Sequence, residues 1–131
     1  MGVYFDNNHE RGFGTYPLKG NACKDAVVAA VNTGFRAFDT AQMYNNESET
    51  GDALKSTGVN RESLFITTKV DNANYSAKRF LSSVEDSLKR LQTDYLDVLL
   101  LHWPPADFII EPALELLASA CLLYTSDAAD E

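Results

Sequence analysis

Cysteine, tryptophan, basic residues and long apolar runs are all scarce in this sequence, and each scarcity excludes something. Two cysteines, Cys23 and Cys121, are too few for a disulfide framework. Neither lies in a Cys-x-x-Cys or Cys/His cluster, so no metal site is expected. The longest apolar runs, residues 26–31 and 96–101 (the second broken by Asp97), fall far short of the ~20 residues of a membrane helix. The opening MGVYFDNN has neither the basic stretch nor the apolar core of a secretory signal. Only 11 Lys and Arg face 19 Asp and Glu, for a net charge of −8, and no basic cluster is available to grip nucleic acid. The expectation is a reducing, cytoplasmic setting, with neither membrane nor nucleic acid as partner.

What remains is globular: 45% hydrophobic, 23% charged, seven glycines. That composition excludes wholesale disorder and low-complexity architectures. The length, 131 residues, suits one domain or part of a larger one. Residues 121–131, CLLYTSDAADE, lack helical or strand periodicity. This string resembles, position by position, the translation of a transposase sequencing adapter. It is therefore set apart as a non-native tail expected to pack against nothing, leaving 1–120 as a truncated domain.

Within 1–120 the pattern alternates. Residues 34–38 (GFRAF), 64–70 (LFITTKV) and 95–101 (YLDVLLL) read as strands, with 13–16 a weaker candidate. The nearly continuous apolar character of 95–101 predicts burial on both faces of a parallel sheet. Residues 22–32 form a helical stripe of Val27, Ala30 and Val31. Asn46 opens a second helix, with Glu49 three residues on in capping-box fashion and Gly58 past its end. Residues 76–91 carry Leu81, Val84, Leu88 and Leu91 at amphipathic spacing, and 111–118 could begin a fourth helix after Pro104-Pro105. Strand–helix alternation at about 30 residues means βα units and a parallel sheet. The predicted fold class is α/β, about four βα units, half of a (β/α)8 TIM barrel of typically ~250 residues.

In such folds the chemistry gathers at the carboxyl ends of strands. There the sequence places Asp39, Lys69 and His102, with Tyr44 five residues past Asp39. Singly, each has an ordinary reading: a turn aspartate, a rim lysine, a core histidine, a loop tyrosine. Together they suit carbonyl reduction. A phenol of pKa ~10 is a poor acid near neutrality, but a neighbouring ammonium favours its phenolate, and a carboxylate keeps that ammonium charged. An imidazole can hydrogen-bond a carbonyl oxygen. No side chain supplies hydride, so a cofactor must.

The stretch GFRAFDTA (34–41) followed by Tyr44, Glu47 and Gly51 resembles the first signature of the aldo-keto reductases. FITTKV (65–70) and DYLDVLLLHWP (94–104) are similar to that family's lysine and histidine segments. The nearest resemblance is to bacterial reductases of small diketo acids and aldehydes. It implies a (β/α)8 barrel, NADPH (NADP) as cofactor, a small carbonyl substrate and a monomer when full length. Tyr44 would be the proton donor, Lys69 and Asp39 its activating pair, and His102 the residue that orients the carbonyl. Gly14, Thr15 and Tyr16, with Asp39, would lie beside the nicotinamide ribose. Tyr16, His102 and Trp103 would line the substrate pocket. Residues 7–11 run into Gly12 without the family's usual lead-in, and Thr50 replaces a preferred aliphatic residue. The family's second half, with its remaining cofactor contacts, is not found, so the truncated chain is expected to be inactive.

Two alternatives stand beside this reading. Gly12-x-Gly14 before a helix, with Asp39 ending the next strand, matches part of a Rossmann dinucleotide-binding domain, although Pro17 fills the third glycine's place. A non-catalytic binding module on the same barrel is the other, since fold does not fix function.

Overall fold

The computed structural model describes residues 11–125. Four strands, β1 (Gly12–Gly14), β2 (Ala37–Asp39), β3 (Phe65–Val70) and β4 (Val98–Leu101), alternate with helices α1 (Gly20–Thr33), α2 (Glu47–Ser56), α3 (Phe80–Leu91) and α4 (Glu111–Tyr124). All neighbouring strands are parallel, in the order β1-β2-β3-β4. Strands that adjoin in space as they do in sequence form an α/β sheet covering part of a (β/α)8 barrel. A doubly wound sheet reverses its order at a switch point, so this topology removes the Rossmann alternative.

The strand register sorts the side chains into two faces. Phe38 pairs with Ile66 and Thr68 with Leu99, which places them on one face. Asp39 pairs with Thr67 and Lys69 with Leu100, which places them on the other. The first face is apolar and forms one core with Val27 and Val31 of α1, Leu54 of α2, and Val84, Leu88 and Leu91 of α3. Each such fully buried side chain contributes ~1.5–3 kcal/mol. The second face, the inner side of the barrel arc, carries the polar residues toward the strand ends.

The chain turns sharply out of α1 at Gly34, whose φ of 110° is open to glycine but strained for other residues. Gly51 lets α2 cross α3 at close range: a Cβ there would stand 2.4 Å from the Arg90 carbonyl oxygen. Below the site, Arg61 reaches Asp97 at 2.9 Å and the carbonyls of Leu64 and Tyr95, tying the start of β3 to the approach to β4. Asp97 also accepts from the Ile66 amide at 2.8 Å, which explains a carboxylate inside an apolar run.

Three expectations are corrected. The capping box does not form. Asn46 is fully buried with no capping bond, and Glu49 accepts from the Gly20 amide at the start of α1 instead. The last strand is shorter than 95–101 and not buried on both faces. Leu100, on the inner face, is 42% exposed because no other element among the described residues covers it. The third concerns residues 121–125, which do pack. Helix-favouring Leu122 and Leu123 carry α4 on to Tyr124, and Cys121 and Tyr124 border the core. Tyr124 donates to Glu85 at 2.7 Å, and Thr125 bridges Leu96 in parallel. Leu122 and Leu123 themselves stay exposed. Residues 126–131 lie outside the described residues. Among those described, no helix is long and apolar enough to cross a membrane.

Candidate active site

Each polar residue reaches the site through its strand. Asp39 is the last residue of β2, and Lys69, next to last in β3, projects from the same face. A single 3-10 turn, Gln42–Tyr44, follows β2 and brings Tyr44 back over the strand ends. His102 immediately follows β4, held by its amide to the Val70 carbonyl at 3.1 Å.

Lys69 is the hub. Its ammonium bonds the Asp39 carboxylate, the Thr40 carbonyl at 3.1 Å and the Tyr44 hydroxyl oxygen at 3.3 Å. An ammonium has three hydrogens, and all three are used. Tyr44 Oη therefore accepts from Lys69 and keeps its own hydrogen free to give. The lysine side chain is 15% exposed and the aspartate 42%, so the pair sits at a rim open to a ligand.

The aromatic groups gather around Tyr44. Its ring lies 5.5 Å from His102, edge to face, and 5.1 Å from Tyr16. Trp103 stacks on His102 at 5.6 Å. Asp39, Tyr44, Lys69, His102, Tyr16 and Trp103 thus share one rim. Burial, and then the Lys69 ammonium, push the His102 pKa down from 6.5, against the opposing pull of Asp71 and Asp39. His102 Nδ1 is buried without a hydrogen-bond partner among the described residues.

Gly14 pairs with Asp39 across β1 and β2, and a Cβ on it would meet nothing within 4 Å among the described residues. An open ledge therefore lies beside the aspartate. The Thr15 side chain is fully buried, and its hydroxyl donates toward the Asp39 carbonyl and Asn46. Its side chain shapes the ledge from beneath rather than facing it.

Sequence reasoning passed over three supporting residues. Asn46 accepts from Thr40 at 2.6 Å and donates to the carbonyls of Thr15 and Leu18, joining the loops after β1 and β2. Gln42 spans from the 3-10 turn to α3. Tyr75 donates to the Trp103 carbonyl at 2.6 Å, and burial raises its pKa, keeping the hydroxyl protonated. A polar residue in a helix-opening position suggests capping, so nothing in the local pattern marked Asn46 as a buried junction.

The profile of the Aldo/keto reductase family matches residues 12–121. The chain is 42% identical over 111 residues to a methylglyoxal reductase, DkgB, of Salmonella typhi, covering 83% of this chain and 42% of that protein. It is 45% identical over 97 residues to a glyoxal reductase of Bacillus subtilis, covering 73% and 35%. Among solved structures, an aldo/keto reductase of Brucella melitensis superposes with a TM-score of 0.78 at 32% identity, covering 84% of this chain and 43% of that one. An aldo-keto reductase enzyme from a Medee basin deep-sea metagenome library gives 0.75 at 38%, covering 90% and 46%. The chain spans less than half the length of these relatives.

Proposed function

The chain belongs to the aldo/keto reductase family, and on that premise we propose that the full-length protein reduces small aldehydes or ketones to alcohols, with NADPH as reductant and Tyr44 as proton donor. The observation that carries the reading is the Asp39–Lys69–Tyr44 chain beside His102. The residues present fit a nicotinamide nucleotide: the open ledge at Gly14 adjoins a half-exposed carboxylate, with Tyr16 exposed next to it. When bound, the cofactor supplies the hydride.

The side chains do the rest. As the carbonyl carbon is reduced, negative charge builds on its oxygen, and Tyr44 gives its proton there. The charge left on the phenol oxygen is met by the ammonium 3.3 Å away, already oriented by Asp39 and the Thr40 carbonyl. His102 stays neutral, since burial disfavours its cation. An unpartnered buried N–H costs more than an unpartnered lone pair on an under-satisfied acceptor, so the proton belongs on Nε2. That leaves Nε2–H to hold the substrate oxygen. Tyr16 and Trp103 offer exposed apolar surface on either side of Tyr44 and His102.

The test is NADPH consumption by the full-length protein with methylglyoxal or glyoxal, set against NADH under the same conditions. Carbonyl-dependent oxidation favouring NADPH supports the reading. Tight nucleotide binding without turnover would point to a non-catalytic barrel.

A further inference from the structure

Behind the sheet, on the side away from Tyr16 and Trp103, Glu47 is a buried carboxylate whose side chain is 1% exposed. It follows Tyr44 by three residues and opens α2. One oxygen accepts from Thr68 at 2.6 Å, and the other from Ser87 at 3.2 Å and Arg90 at 2.9 Å. Thr68 precedes Lys69 on β3, on its opposite face. Glu47 therefore links the segment that carries the phenol to the strand that carries the ammonium. Gln42, two residues before Tyr44, secures the other flank: it donates to Ser83 and Ser87 at 3.2 Å and accepts from the Asp71 amide at 2.8 Å.

A buried carboxylate is costly unless fully paired, and an apolar residue in its place is often neutral or better for stability. As a staple between two chain segments, however, this charge does what an apolar residue could not. We propose that Glu47 is a positioning residue, which sets the Tyr44–Lys69 separation through Thr68 and Arg90 without touching the substrate. This rests on the reductase reading given above. Glu47→Gln keeps the shape but loses the ion pair, letting the phenol and ammonium drift apart. A misplacement near 1 Å costs up to ~10²-fold in rate.

The experiment is a double-mutant cycle in the full-length enzyme, read as kcat and KM with NADPH and methylglyoxal. Glu47→Gln alone should lower kcat about 10-fold to 10²-fold while KM changes by less than about threefold. Added to Tyr44→Phe, it should cost almost nothing further, because the group it positions is gone. Thr68→Val, which removes one hydroxyl, should show the same dependence on Tyr44, and Thr68→Ser should recover most of that loss. Should Glu47→Gln fail to fold, the Thr68 pair carries the test alone. Equal losses in the presence and absence of the Tyr44 hydroxyl would mean a merely structural role and overturn the proposal. If Tyr44→Phe itself leaves kcat unchanged, the reductase assignment of Tyr44 falls, and the positioning role with it.

Discussion

Single residues carry the chemistry, and their identities were readable well before their surroundings. Asp39, Tyr44, Lys69 and His102 stood out because strand ends concentrate function in parallel α/β folds. What no local pattern conveys is how each hydrogen bond is used. That the Lys69 ammonium spends all three hydrogens, leaving the Tyr44 proton free, is a property of β3 meeting the end of β2 and the turn after it. Likewise the weak strand pattern at 13–16 does not reveal that the Thr15 side chain lies buried under the ledge. Lys69→Met removes the charge opposite the phenol and should lower turnover by ~10²-fold or more, recovering in part on highly reactive carbonyls that need less proton donation. Unchanged rates on all substrates would remove Lys69 from the mechanism. For His102, the folded state favours the neutral ring, since burial and then Lys69 depress its pKa. The unfolded chain takes up that proton first as pH falls. The histidine's contribution to stability is therefore present above ~6.5 and shrinks below it. An NMR titration should place the His102 midpoint under 6.5, and one at or above that value would contradict the account.

At the scale of elements, existence was more legible than extent. The helix around Leu88 and the strand around Ile66 follow directly from hydrophobic period and β-branching. The boundaries of β4 did not, because an apolar run does not reveal where pairing begins: the strand starts at Val98, and Asp97 just before it pairs with Arg61. Nor did the α2–α3 crossing, which depends on Gly51 meeting Leu91, a residue far along the chain. Glycine inside a helix normally costs ~0.5–1 kcal/mol against alanine, so Gly51→Ala would stabilise an isolated α2. Here the added Cβ would stand 2.4 Å from a backbone oxygen and 2.7 Å from the Leu91 Cα. Forced overpacking of this kind costs ~1–3 kcal/mol, and the clash should win. A denaturation series should find Gly51→Ala less stable than the parent, by a lowered denaturant midpoint at unchanged slope. A raised midpoint would mean the helices are not held at this distance.

For the whole molecule, parallel βα units in sequential order were foreseeable from strand spacing, and so was exposed apolar core beyond the strand at 95–101, though not which side chains it would leave uncovered. Leu100 on the inner face, with Trp103, Phe108, Ile109 and Leu114 around the far end, is more exposed than large apolar residues in a closed barrel would be. The 131-residue chain on its own should therefore bind a hydrophobic dye such as ANS. Lack of dye binding would mean that this surface is covered. The central claim, that Tyr44 donates the proton in a carbonyl reduction, concerns the full-length protein. Its most direct test compares that protein with its Tyr44→Phe variant, measuring methylglyoxal-dependent NADPH oxidation together with NADPH affinity. Removing only the hydroxyl should lower turnover by ~10²-fold or more while NADPH binds as before. Near-normal turnover in Tyr44→Phe would contradict the account.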